Sequence, residues 1–392
     1  MTRGFRPVTC ITPPHILRKL LESEDRDIRE AALNTLLSTA RLRGERAVRA
    51  CVAAAAPAGG RRTIFDCQHR TVLATAVLAR SEDGPESDDN SVNQAFDGLG
   101  TTRQFYRDIH RRDSIDDRGM RLDGYVHRSR NYNNAFWDGQ AMIFGDGDGR
   151  VFIDFTGALD VIAHELTHGV TEHTAGLEYR TQSGALNEHV SDVFGSLVKQ
   201  WARQQSAAEA DWLIGSEIFT PGIEADALRS LKAPGEAYDN SIFGKDPQPD
   251  HMSDFVHLPD TDEGDHGGVH INSGIPNKAF YLTAVNIGGF AWEAPGHIWY
   301  ETLKASSPRT QFQDFADTTY FKAEELYGAG STEQRAVLAA WREVGIRISG
   351  MPAAADARVG GDGLAALAQQ IDTLSAQIKA LTEEVRTFTA RK

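Results

Sequence analysis

Two histidines four residues apart, His164 and His168, with Glu165 between them, are the residues of this chain best suited to chemistry. On an α-helix positions i and i+4 share a face. Two neutral imidazoles there can hold one Zn²⁺, with the glutamate as a general base. Nineteen residues separate His168 from Glu188, which stands at the start of a second helical pattern, NEHVSDVFGSLVKQW. A carboxylate there completes a set of two histidines and one glutamate and leaves the fourth zinc position to water. Asp192 lies four residues further on the same face, where a carboxylate can orient a ligating imidazole. The bland alternative is an exposed helix that carries HExxH by chance, and Glu188, Asp192 and the later His270 count against it.

The stretch from Asp160 to Asp192 resembles the thermolysin-like metalloproteases, and within them the protealysin-like group with a short N-terminal precursor segment. The rival HExxHxxGxxH pattern needs glycine at 171 and histidine at 174, where this chain has Thr171 and Thr174. The resemblance runs from about residue 63 to 350, with a local match at 13–17. It implies an α+β fold of two lobes, with the zinc site on helices between them. Residues 1–60 are then a helical propeptide and linker, 61–174 a β-rich lobe ending in the HExxH helix, and 175–350 a helical lobe. Residues 351–392, outside the resemblance, form a linker and a coiled-coil tail.

By resemblance, His164, His168 and Glu188 hold Zn²⁺, Glu165 is the base, and Asp192 orients His164. Tyr179 and His270 stabilise the oxyanion, with Asp265 as the partner of His270. Asn134 and the Ala135 carbonyl, in NNAFW, match the edge strand along which these enzymes lay substrate, which is β-augmentation. Phe152, Phe155, Val161, Ile214, Ile218 and Leu228 match the apolar pocket for the side chain after the scissile bond. Arg229 matches the arginine that binds the carbonyl beyond the cut. Several of these would also read as ordinary core. Asp160 is expected to cap the catalytic helix.

The leader carries Pro13, Pro14, His15, Ile16 and Leu17, which resemble a Pro-Pro-aromatic-Ile-Leu propeptide motif with His15 at the aromatic position. The proline pair forces an extended approach to a helix starting near Ile16. Residues 25–43 read as an amphipathic helix with Ile28, Ala32, Leu36 and Leu37 on one side. Residues 50–62, ACVAAAAPAGGRR, are the linker, and a maturation cut is expected between about 45 and 62. A small docking module without inhibitory role is the alternative. Cys10 is either a latent zinc ligand or an inert small hydrophobe.

A chain of 392 residues with 41% hydrophobic content can bury a sizeable core. Its net charge of −14 argues against nucleic acid as a partner. Residues 1–60 carry ten Arg/Lys against six Asp/Glu, a charge of +4 that leaves −18 on the rest, so leader and body are expected to attract, with merely solvated patches as the alternative. Three cysteines, Cys10, Cys51 and Cys67, make no disulfide framework. The N-terminus lacks an apolar run of signal-peptide length, and no window approaches a membrane span. The expectation is a cytoplasmic protein, with export by a non-standard route as the alternative.

The family's paired calcium site uses carboxylates where this chain has Lys199, Leu213 and Ser216. A lysine brings the wrong charge to a cation that needs six to eight oxygens. The double site is therefore expected to be absent, with Asp160, Asp211 and Glu217 pairing with Lys199 instead. In the tail, Leu364, Ile371, Ile378 and Val385 fall at heptad a, and Leu367, Leu374, Leu381 and Phe388 at d. That pattern favours a parallel two-stranded coiled coil, hence a homodimer through 364–388; a helix packed back on the body is the alternative. The reading is a zinc endopeptidase cutting before hydrophobic residues, made as a precursor whose leader blocks the cleft and is removed autocatalytically. Its rivals are a latent or silent zinc-binding protein assembled through the tail, and a zinc hydrolase of small molecules.

Overall fold

The computed structural model describes residues 10–49 and 62–351. The expected maturation region, Cys51 and the heptad tail lie outside the described residues, apart from the backbone of helix residues 45–49 and Arg62. The chain divides into two units, Met1–Arg347 and Ile348–Lys392, and the elements below belong to the first.

The leader folds into α1 (Pro14–Leu20) and α2 (Arg26–Arg49). Pro13 is extended and Pro14 takes the first helical turn, so α1 starts two residues before Ile16. The buried side of α2 is Ala31, Ala32, Thr35, Thr39 and Leu42, whereas Leu37 is 61% exposed. The expected face is thus rotated. Two threonines set it: Thr35 Oγ1 accepts from the Asn133 N–H at 2.9 Å, and Thr39 Oγ1 meets the Tyr132 hydroxyl at 3.0 Å.

Five strands follow: β1 (Arg62–Asp66), β2 (Val77–Ser81), β3 (Leu122–Val126), β4 (Ala135–Trp137) and β5 (Ala141–Phe144). They form one sheet ordered β2-β1-β3-β5-β4, in which β1, β3 and β5 run parallel. This order leaves β4 paired only with β5 inside the sheet, its other edge turned to the cleft. α3 (Asn90–His110) is capped by Asp89, whose carboxylate accepts from Ser91 and Val92 N–H.

α4 (Leu159–Glu172) and α5 (Thr181–Arg203) are the central pair. α5 is buried continuously from Ser183 to Gln200, the signature of a helix packed on every side. They pack tightly at Gly195, where an added Cβ would stand 2.7 Å from the Asp160 carbonyl. Two short antiparallel pairs follow, β6 (Leu213–Ile214) with β7 (Arg229–Ser230) and β8 (Asp239–Asn240) with β9 (Gly244–Lys245). Helices α6 (Asp265–Asn272), α7 (Gly274–Ile287), α8 (Ala294–Ala305), α9 (Phe312–Tyr327) and α10 (Thr332–Glu343) complete the second lobe. Trp292, Trp299, Phe312 and Phe315 are core. Tyr320 is only partly buried: Thr319 faces inward and bonds Trp341 Nε1 at 2.7 Å, which turns the next residue outward.

Candidate metal centre and active site

One turn of α4 separates His164 from His168, and their Nε2 atoms come to 3.0 Å of each other. Each Nε2 also lies 3.5 Å from a Glu188 oxygen supplied by α5. All three side chains are buried, and Glu188 Oε2 has no hydrogen-bond partner. A bare buried carboxylate oxygen costs several kcal/mol or more unless it meets a charge or a metal. Two imidazole nitrogens converging beside it leave that role to a cation, and the donor set fits tetrahedral Zn²⁺ with one position open.

The ligands are held from behind. His164 Nδ1 stands 2.9 Å from Asp192 Oδ1. Asp192 is gripped by the Arg229 fork at 2.8–3.0 Å and by Asn277 Nδ2 at 2.9 Å. Burial opposes its charge, yet Arg229 and His164 hold the carboxyl well below the usual range. His168 Nδ1 meets Asn187 Oδ1 at 2.8 Å and Ser191 Oγ at 3.0 Å. Asn187, Ser191 and Asn277 had no assigned role in the sequence. The first two flank Glu188 on α5, so adjacency to a ligand on a helix facing α4 was the available signal.

Glu165 Oε2 accepts from the Trp137 N–H at 3.0 Å, which ties the carboxyl to the free end of β4. Burial, reinforced by Glu188, pushes this carboxyl up to about 8. Opposite it, the Tyr179 hydroxyl donates to Glu188 Oε1 and lies 3.2 Å from His270 Nε2. His270 sits in α6 behind a run of left-handed residues, where Gly267 and Gly268 take φ of 88° and 78°. Such angles suit glycine, and they bring Asp265 back under the ring: Oδ1 is 2.6 Å from His270 Nδ1, and Oδ2 accepts the His270 N–H at 2.9 Å. Burial works against a charged imidazole, but Asp265 and Glu188 outweigh it and raise His270 to about 9.

The leader crosses this site. The Cys10 carbonyl accepts from His270 Nε2 at 3.1 Å. The next residue donates Ile11 N–H to the Ala135 carbonyl at 3.2 Å and offers its own carbonyl to Arg229 Nη1 at 3.2 Å. The Thr12 N–H then reaches Asn134 Oδ1 at 3.1 Å. Ile11 is completely buried. Behind this segment His15 meets the Tyr238 hydroxyl at 2.9 Å, and Arg18 Nη2 donates to the Asp262 carbonyl at 2.8 Å. The Cys10 backbone carbonyl meets His270, and no cysteine joins the metal-binding group among the described residues.

Phe152, Phe155, Val161, Ile214, Ile218 and Leu228 are all buried. Leu228 N–H bonds the Ile214 carbonyl, Ile153 N–H bonds the Ile218 carbonyl, and the Phe152 and Phe155 rings are 5.6 Å apart. Asp160 is not the cap of α4. That position is Ala158, with no side-chain bond, and the Asp160 carboxylate turns instead to Lys199 Nζ at 2.8 Å. Lys199 also reaches Asp211 at 3.0 Å and the Leu213 carbonyl at 2.7 Å. Glu217 does not join them; it pairs with the nearer Arg203 at 2.6 Å.

Two imidazoles and a carboxylate meeting at one point, beside a strand edge that already holds an extended chain, define a metallopeptidase. Residues 59–172 match the catalytic-domain model of the thermolysin metallopeptidases, and residues 175–346 match their α-helical domain model. An extracellular metalloprotease of Pectobacterium carotovorum subsp. carotovorum is 44% identical over 88% of this chain and 98% of its own length. The protease PrtS of a Photorhabdus species is 47% identical over 73% of this chain and 76% of its own. Among solved structures, the precursor of protealysin from Serratia proteamaculans superposes with a TM-score of 0.78 at 44% identity, covering 86% of this chain and 99% of that one. The chain belongs to the thermolysin metallopeptidase family. It is a zinc metalloendopeptidase of the protealysin-like kind, with the two-lobe α+β fold expected, made as a precursor with an N-terminal propeptide.

Proposed function

We propose that this endopeptidase hydrolyses peptide bonds on the N-terminal side of hydrophobic residues, and that its own leader rests in the cleft in the pose of a substrate until it is removed autocatalytically. The observation that carries this reading is the register of Cys10–Thr12 against His270, Ala135, Arg229 and Asn134. A buried Ile11 occupies the position after the bond whose carbonyl meets His270.

Zn²⁺ held by His164, His168 and Glu188 supplies Lewis acidity toward the scissile carbonyl and toward water. Glu165 takes the proton of the attacking water and returns it to the leaving amine; a carboxyl poised near neutrality can do both. Tyr179 and His270 donate to the developing oxyanion, and Asp265 fixes the imidazole of His270. Asn134 and the Ala135 carbonyl align the substrate backbone, and Arg229 takes the carbonyl beyond the cut. Phe152, Phe155, Val161, Ile214, Ile218 and Leu228 form the wall that prefers an apolar side chain there.

The reading extends to the rest of the chain. Residues 1–60 are the propeptide and linker, 61–174 and 175–350 the catalytic lobes, and 351–392 a linker and a coiled coil that pairs two copies through 364–388. Lys199 replaces the paired calcium ions; its bonds to Asp160 and Asp211 support this. Synthesis in the cytoplasm followed by export through a non-standard route suits Cys10 and Cys67, which form no disulfide, and the relative called extracellular. A net charge of −14 speaks against nucleic acid as a partner. Among the described residues no helix is long and apolar enough to cross a membrane.

The test is intact mass against time for the full chain and for Glu165→Ala. The wild type is expected to lose a piece of roughly 45–62 residues while the variant keeps it, since removing a general base costs about 10²–10⁴ in rate. Equal processing of both would overturn the autocatalytic reading.

A further inference from the structure

Away from the active site, three parallel strands end side by side, and each is followed by a metal-ligating residue. His69 comes after β1, His127 directly after β3 and Asp146 after β5. The His69 N–H bonds the His127 carbonyl at 2.9 Å, which locks the two loops in register, and both histidines take left-handed φ of 58° and 54°. His127 Nδ1 stands 2.8 Å from Asp146 Oδ1, and His69 Nδ1 3.1 Å from Asp146 Oδ2. The three ligand atoms lie within 4.8 Å of one another.

We propose that His69, His127 and Asp146 form a second metal site, for a borderline divalent ion of the zinc class, across the carboxyl ends of β1, β3 and β5. Two imidazoles and one carboxylate favour zinc, cobalt, nickel or copper over the oxygen-seeking calcium and magnesium. Ligands around zinc stand about 3.3 Å apart for bonds near 2.0–2.1 Å, close to the 2.8 and 3.1 Å between the two imidazoles and Asp146, so the group need only adjust slightly. His69, with 44% of its side chain exposed, has the freedom to do so. The second carboxylate has a different use. Asp89 Oδ2 lies 2.8 Å from His127 Nε2, the position that fixes an imidazole with Nδ1 turned to a metal. Asp89 also caps α3, so the ion would tie three strands to the first turn of that helix. The rival account is an imidazolium at His127 clamped between Asp89 and Asp146. It explains those three residues and leaves His69 without a purpose.

The experiment uses the full chain and His69→Asn, an exposed and conservative change outside the catalytic machinery. After dialysis against trace zinc, metal content per chain is read by mass spectrometry, with peptidase activity confirming that both proteins are folded. About two zinc ions per chain in the wild type and about one in the variant are expected. In parallel, zinc should raise the wild-type unfolding temperature by roughly several degrees and the variant's much less. One ion in both proteins overturns the site, and two in both puts the second ion elsewhere and overturns it equally.

Discussion

The backbone carbonyl of Cys10 accepts a hydrogen bond from His270 Nε2 at 3.1 Å, so the leader presents a peptide bond to the catalytic residues. The basic leader is held to the acidic body in other places too, as where Arg18 caps the carbonyls of Asp262 and Glu263. The docked state should therefore be broken at the buried residue that follows the Cys10 carbonyl.

Ile11 is that residue, with no exposure. Placing a carboxylate there, Ile11→Asp, buries a charge with no partner, which costs several kcal/mol. Full-length wild type should hydrolyse a short fluorogenic peptide only after a lag while the leader is removed. The variant should show no lag. An unchanged lag would mean that the leader does not restrain the enzyme through this contact.

His15 gives the docked leader an acid response. Burial is the largest influence and lowers its imidazole from 6.5 to about 4. The undocked leader takes up a proton below pH 6.5 and the docked one does not until about pH 4. Docking strength is thus flat above pH 6.5 and falls through the window from 6.5 to 4, on the order of tens-fold by pH 4.5. His15→Phe should remove this dependence while keeping the ring. Activation rates of both proteins at pH 7 and pH 5 measure it, and equal acid sensitivity would sink the assignment.

Lys199 and Asp160 are 1% and 0% exposed. Lys199→Met leaves the Asp160 carboxylate buried and unpaired, and about 3–5 kcal/mol of unfolding free energy should be lost. Denaturant titration reads this directly. In the same assay the wild type should be indifferent to added calcium and to a calcium chelator that spares zinc. Stabilisation by calcium would contradict the pairing.

The catalytic side of the fold was legible because its signals are local. HExxH is one turn of helix, Glu188 follows on the next, and NNAFW is a continuous segment that ends in β4. Long-range relations were not. Whether Asp160 caps α4 or neutralises a lysine 39 residues away depends on where β6 brings Leu213 and Asp211, which no spacing reveals. Glu217 was assigned to Lys199 by family position, but Arg203 is closer. The buried face of α2 was misjudged at Leu37 because hydrogen-bonding threonines, not aliphatics, decide how that helix sits. His69, His127 and Asp146 share no sequence period; only the parallel register of β1, β3 and β5 joins them.

The lysine wedged between α5 and the loop that carries Asp211 has one more consequence. A cation that is part of the covalent chain cannot be diluted away, stripped off or exchanged. The junction it secures is complete as soon as the polypeptide is made, and it is the same in a cell interior as in an outside medium of any hardness. When the surroundings change, this junction has no ion to find.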